Sequence, residues 1–490
     1  MKTSFKTYIL ATALFASAGN IMAQEFGSSY FTEDYLYRHT MNPAYDSEHS
    51  YVAIPIIGNI NMRLQGSIGV GDFFFKNPDY GVKAGAKKTT TFLHPGISVD
   101  DALKGFKKGA NTLMTDFDLN IVSVGFRGIN GYNTVELRER THVGVSLPYE
   151  FFEFAKNMSN KDYSFDDMGA RAWSYMELAF GHSHKIYDNL RVGAKVKLLF
   201  GGAYANLSME GMHANLSGNK WIIDGKARAE LNLKGATFKE ETKEYKSIPG
   251  KYYNSFNGID VKNPGLSGFG LGFDLGGIYE FKDCSVSWLN GLKASIAVTD
   301  LGFISWSNTQ VAESSGKKFE FDGFNNFAVK EESGSTIGNQ MDKFKDDFTD
   351  FANLENKGGQ GGKARSLAST LKIGLQYPLP AYDKLSFGVL YNHRFDGKYS
   401  WDEGRVSANC APLKWLDGGI NVAFTSFCTT MGWIINIHPK GFNFFVGMDH
   451  LIGKTGANMI PLSSNMSFNV GMNITWGGRK DNRELKPLTF

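Results

Sequence analysis

Cysteine, proline, charge of one sign and long apolar runs are all scarce in this chain, and each scarcity removes a class of protein. The 490 residues hold 3 Cys, an odd number without paired spacing, which excludes a disulfide-stapled scaffold. With 13 Pro the chain is not a proline-rich linker or a collagen-like repeat. The 52 basic and 49 acidic residues balance to +3, far from the one-sided charge of a nucleic-acid binder. Beyond the N-terminus no stretch suits a membrane-spanning helix. The nearest, Gly418 to Ile437, lacks charge, but Asn421, Thr425, Ser426, Thr429, Thr430 and Asn436 make it too polar, and it reads as two strands and a tight turn. Cys410 and Cys428 then fall at opposite strand ends, too far apart to bridge. What the chain does have is glycine, 56 residues, and aromatics, 14%.

The N-terminus reads as an export signal. Lys2 and Lys6 precede an apolar stretch from Tyr8 to Ala18, and Ile21-Met22-Ala23 ends in a small residue before Gln24, so residues 1–23 are set aside from the fold.

Along the remainder, apolar and polar residues alternate with a period of two, the pattern of a strand with one apolar face. Near the C-terminus Met466, Phe468, Val470, Met472, Ile474 and Trp476 alternate with Asn465, Ser467, Asn469, Gly471, Asn473 and Thr475. Leu385, Phe387, Val389 and Tyr391 alternate with Lys384, Ser386, Gly388 and Asn392, although Leu390 breaks the polar series. Period alone does not say whether the apolar face meets lipid or a protein core. Connection lengths do. Strands at about 59–72, 117–128, 134–147, 171–186, 190–203, 206–214, 220–234, 268–281, 291–302, 365–377, 384–396, 403–411, 416–425, 428–437, 442–450 and 464–476 leave long links at 73–116, 148–170, 235–267 and 303–364, with short links between them. Short turns at one end and long loops at the other is the outer-membrane pattern. The expected fold is all-β, a transmembrane antiparallel barrel of about 14–16 strands, with the barrel over 51–477, an N-terminal segment over 24–50 and a periplasmic tail over 478–490. Trp173, Tyr377, Phe395, Trp415, Trp433 and Trp476 near strand ends suggest an interfacial girdle.

If the apolar parity faces lipid, the other lines the bore and carries Arg127, Arg138, Arg140, Arg191, Lys195, Lys372 and Arg394 beside Glu136, Glu177 and Asp274. These are candidate ligand or lumen residues, able to hold an anionic head group or to pair across strands. In the loops, Met341, Phe344, Phe348, Phe351 and Leu354 recur at helical steps. A second helix is expected near Asp100 to Leu113, with Ser98 as its cap.

Asn42-Pro43-Ala44 shortly after the signal, the strand opening near Ile60, and Thr141-His142-Val143-Gly144-Val145-Ser146-Leu147-Pro148 with Phe151, Phe152 and Phe154 resemble an uncharacterised Bacteroidetes outer-membrane family. That family is similar in layout to fatty-acid-transporter-like porins. The resemblance implies an Asn-Pro-Ala turn in an N-terminal plug, a barrel of fourteen strands, and a hydrophobic or amphipathic small-molecule cargo. Against fourteen, the weakest of the strands read above are 206–214 and 403–411.

Catalytic patterns are missing. Gly453-Lys454-Thr455 lacks the spacing of a phosphate-binding loop, no Gly-x-Ser-x-Gly elbow occurs, and His182 and His184 share a strand face without a third ligand. The reading is a non-enzyme without cofactor or metal: a plugged outer-membrane channel for uptake or export of a hydrophobic or amphipathic small molecule. The alternative is a docking barrel of a surface-assembly or secretion complex. Expected partners are outer-membrane lipid, a hydrophobic small molecule, and a surface or periplasmic protein, with no nucleic acid.

Overall fold

A computed structural model of the chain describes residues 26–159, 161–216, 220–322, 337–450 and 465–477. The export signal, the Gly453-Lys454-Thr455 tripeptide and the 478–490 tail lie outside them.

An alternating strand needs two unlike environments, and its backbone needs a neighbour on each edge. Ring closure supplies both. The ring is built from β1 (Ser50–Ala53), β2 (Ile60–Gly66), β3 (Ala110–Gly128), β4 (Gly131–Pro148), β5 (Gly169–Tyr187), β6 (Leu190–Asn215), β7 (Gly268–Glu280), β8 (Lys293–Trp306), β9 (Lys363–Ser366), β10 (Ser369–Leu379), β11 (Tyr382–Phe395), β12 (Trp401–Leu413), β13 (Leu416–Thr425), β14 (Thr429–Ile437), β15 (Phe442–Met448) and β16 (Met466–Trp476). β1 and β2 together form one stave, both pairing with β3, and β9 and β10 form another beside β8. β16 pairs back onto β1 (Ser50 opposite Trp476) and β2 (Ile60 opposite Val470), closing a barrel of 14 antiparallel staves.

The excess over fourteen in the sequence count has one cause. Residues 206–214 are not a separate strand but the far part of β6, which runs for 26 residues, well beyond the roughly 9–11 that cross a bilayer. The predicted strand at 220–234 is real, as Trp221–Leu233, but it pairs with the projecting part of β6 and with Gln310–Ser314 and Phe319–Phe321, outside the ring. The weak 403–411 is a full stave, β12. Among the loops, the helix expected at 100–113 is shorter, Val99–Leu103, with Ser98 capping through a hydrogen bond from Asp101 N, and 110–113 already belongs to β3. Helix Ile337–Ala352 forms as the spacing predicts, and its Phe344 and Phe348 pack edge-on against Phe319.

Burial inverts the order of a soluble protein. On β16 Asn469 and Asn473 are fully buried, whereas Ile474 is 52% and Trp476 48% exposed. The same holds for β11, where Phe387 and Val389 face out and Ser386 and Asn392 face in. An apolar outer surface around a polar interior is stable only with hydrocarbon outside, because an exposed band of this size in water would be a severe penalty. This is an outer-membrane barrel. Phe395, Trp415 and Trp476 lie exposed at stave ends, as an interfacial girdle requires, but Trp173 is buried in the bore. Cys284, Cys410 and Cys428 are free thiols.

Candidate functional site

The links 129–130, 188–189, 281–292, 380–381, 414–415 and 438–441 share one end of the barrel, and the long loops share the other with two short turns, 396–400 and 426–428. The bore between them is organised in three levels.

Nearest the short-turn end lies the N-terminal segment, 26–49. Its Phe26, Tyr30, Phe31, Tyr35, Leu36, Tyr37, Met41 and Tyr45 form an apolar cluster with wall residues Tyr51, Tyr132, Leu390, Ile434 and Phe445. Leu390, the break in the polar series of β11, therefore points inward to meet this segment. Polar contacts reach staves around the ring: Tyr30 to Ser295 (3.0 Å), Tyr37 Oη donating to Asn473 (2.7 Å), Gln376 Nε2 donating to Phe31 O (3.3 Å), and Ser183 Oγ donating to Ala44 O (2.9 Å). Higher up, the N–H groups of Gly27 and Ser28 donate to Asp449, whose carboxylate is held by Arg405 at 3.1 Å. Arg405 also meets Glu403, which Arg63 bridges at 3.1 Å.

Asn42-Pro43-Ala44 makes an Asx turn in which Ala44 N donates to Asn42 Oδ1 at 2.9 Å. It rests on two glycines that face each other across neighbouring staves, Gly193 of β6 and Gly276 of β7. A Cβ on Gly193 would collide with the Pro43 carbonyl, and one on Gly276 with Asn42 Oδ1. The missing side chains form the seat for the turn. His39 lies beside Lys195 (3.0 Å) and Tyr51 (2.9 Å). Burial, with Lys195 adding to it, drops the imidazole to a pKa of about 3, so it stays neutral.

Above this segment is a belt of ion pairs. Arg138 bonds Glu177 and Asp118, Arg140 bonds Glu177 (3.1 Å) and Asp300 (2.7 Å), and Lys197 bonds Asp274 and Asp300, both at 2.7 Å. Lys195 pairs with Glu136 at 2.6 Å. Each cation therefore has a carboxylate partner, and the belt holds mixed charge without a free positive field.

On the long-loop side of the belt the lining changes character. Trp173, Tyr175, Leu199, Tyr204, Ile304, Trp306 and Leu367 form an inward-facing apolar cluster. Beside it a narrow recess, with room for about one water molecule, is lined by Trp173, Tyr175, Ala368, Arg140, His142, Arg394 and Asp116. His142 bonds Asp116, and Arg171 is held by Asp396 at 2.6 Å while lying over the Trp173 ring at 4.9 Å. The recess thus brings aromatic and hydrogen-bonding side chains together.

The basic residues read from the sequence separate accordingly. Arg140 and Arg394 line this recess, Lys372 lines a second narrow one beside Gly27, and Arg138 and Lys195 lie at or below the belt. Arg127 and Arg191 sit instead at the short-turn rim, both on Asp46 (3.3 and 3.0 Å). Sequence reasoning missed Arg63, Asp116, His142, Arg171, Asp300, Glu403 and Arg405. Arg63, Glu403 and Arg405 share the polar parity of Asn61 and Ser407, so strict parity would have found them. Asp300 has φ +61° at a bulge opposite β7, where parity is lost.

No curated protein matches the chain by sequence. Among solved structures it is similar to the Ralstonia pickettii toluene transporter TbuX (8% identity, TM-score 0.41, covering 94% of this chain and 99% of that one). It is similar also to the Pseudomonas putida toluene transporter TodX (8%, 0.39, 93% and 98%) and to a Pseudomonas aeruginosa FadL homologue (10%, 0.36, 94% and 100%). Over residues 43–449 the chain matches a family of unknown function (DUF5723), and it belongs to that family.

Proposed function

We propose that this protein is a plugged outer-membrane channel that takes a hydrophobic or amphipathic small molecule from the long-loop side, and that it works by transport rather than catalysis. The observation that carries this reading is the apolar cluster around Trp173 and Trp306, which faces inward on the long-loop side of the ion-pair belt. Water covers apolar side chains poorly, so a lumen built only for ions or sugars gains nothing from indole and phenol rings there. These side chains are 0–7% exposed, so a molecule with an apolar body passes by exchanging its own contacts for theirs, while Arg394, whose Nε has no hydrogen-bond partner, offers one to a polar end. Segment 26–49 acts as the plug, and a passing molecule must move it or pass beside it.

The test is uptake into proteoliposomes of a radiolabelled medium-chain alcohol against a sugar of similar mass. Saturable alcohol uptake that falls at least about tenfold in Trp173→Asp supports the reading. Equal entry of both solutes, or alcohol uptake unchanged by the substitution, refutes it. A second reading, a docking barrel, draws on the sheet that β6 and Trp221–Leu233 raise beyond the ring. Partner proteins captured through that sheet, with no uptake of either solute, favour it.

A further inference from the structure

At the short-turn end, three side chains distant in sequence converge. Asp34 comes from the N-terminal segment, Asp417 from β13, and His438 from the link between β14 and β15. His438 is 91% buried, and its Nε2 lies 3.3 Å from Asp417 Oδ1 and 3.7 Å from Asp34 Oδ2, within ion-pair distance of both but in a well-aligned hydrogen bond to neither. A buried imidazole nitrogen set between two carboxylates either carries a proton between them or gives up that place to a cation. The three donor atoms all lie within 4.8 Å of one another. In a tetrahedral site with bonds of about 2.1 Å, neighbouring donors stand about 3.4 Å apart, which is the spacing of the imidazole to each carboxylate.

We propose that Asp34, Asp417 and His438 form a divalent-metal site that clips the N-terminal segment to the barrel wall.

Charge favours a cation here. Two carboxylates, Asp34 and Asp417, face one imidazole nitrogen, and Lys293 nearby is taken up by Glu33 at 3.4 Å. Two carboxylates and an imidazole that releases its proton to solvent as the ion enters neutralise a divalent charge, and this donor set suits zinc, with water in the fourth position. The surroundings are those of a supported ligand set. Asn436 Nδ2 donates to Asp417 Oδ1 at 2.6 Å, Asn443 Nδ2 donates to Asn436 Oδ1 at 2.7 Å, and Asp34 N donates to Asp417 Oδ2 at 3.1 Å. The Asp34 side chain is 27% exposed and leaves the ion a path in. His182 and His184 do not compete: their rings stack at 5.9 Å, and His182 is committed to Asn133 at 2.9 Å. The inference goes beyond transport and stands whether or not a molecule passes.

The test uses untagged full-length protein in detergent, its thiols alkylated and its metal removed by chelation, titrated with zinc alone by calorimetry. Expected is about one zinc per chain. Asp34→Ala and His438→Ala should each weaken it by more than the roughly 10–100-fold that loss of a supporting hydrogen bond costs. Heat-dependent gel mobility shows that each variant keeps its barrel. Should a variant lose the barrel, the conservative Asp34→Asn and His438→Gln are titrated in its place. With zinc bound, protease cleavage within 26–49 should slow in the parent and stay unchanged in the variants. No zinc binding by the parent, or equal binding by folded parent and variants, overturns the proposal.

Discussion

The seat of the Asn42-Pro43-Ala44 turn offers the sharpest test of the plug. Replacing Gly276 with Val places two methyl groups where Asn42 Oδ1 now lies. The stave cannot retreat, because Gly276 is paired on both sides, with Gly193 and with Ala297. The turn must lift instead. Overpacking of this kind costs about 1–3 kcal/mol, and losing the Asx hydrogen bond to Ala44 N adds roughly 1 kcal/mol. At 1.4 kcal/mol per decade, a total of about 2–4 kcal/mol raises the displaced fraction of the plug roughly 30- to 1,000-fold. Gly193→Val acts on the Pro43 carbonyl and should behave alike. The assay is conductance of single barrels in planar bilayers, read beside thiol labelling of an Ala44→Cys reporter. Both variants should show open events far more frequent than the parent and faster labelling. A folded Gly276→Val barrel with parental conductance and an unreactive reporter would refute the seat.

Three further outcomes follow from the same geometry. Arg138→Met leaves Asp118 to Arg140 at 3.7 Å and Glu177 to Arg140 and Lys197 at 3.1 and 3.9 Å, so the barrel should lose stability, by less than the roughly 3–5 kcal/mol of a fully unpaired buried charge, seen as unfolding at lower urea concentration; an unchanged midpoint would show that the belt does not bear on stability. In the loops, burial raises the Asp346 carboxyl, but hydrogen bonds from Ser247 and Lys246 outweigh it and leave the group below its usual value. A depressed acid stabilises the fold above its unfolded pKa and loses that contribution as pH falls through the folded one. Hydrogen exchange of helix Ile337–Ala352 should therefore quicken below about pH 4, and Asp346→Asn should abolish the dependence. Finally, denatured but unreduced protein should take up alkylating reagent at all 3 cysteines; mass spectrometry showing fewer would reveal a bridge.

The two-residue period determined most of the fold before any coordinates. A ribbon with Ile474 and Trp476 on one face and Asn473 and Thr475 on the other has few stable homes, and the short and long links selected the membrane ring among them. Local pattern failed where a strand outgrew the bilayer: a register shift opposite Ser174 and Tyr175 moves the apolar parity of β6 from Val196 and Leu198 to Leu207 and Met209, so its far part reads as a separate strand. Only the tertiary structure decided what meets inside. Asp34 and His438 are hundreds of residues apart, and no spacing predicts that ring closure sets them 3.7 Å from each other. Likewise Gly193 and Gly276 read as weak points of two strands until register placed them opposite each other beneath Pro43. Side-chain parity is a property of the local chain, whereas register, closure and the path of the N-terminal segment come from packing across the whole ring.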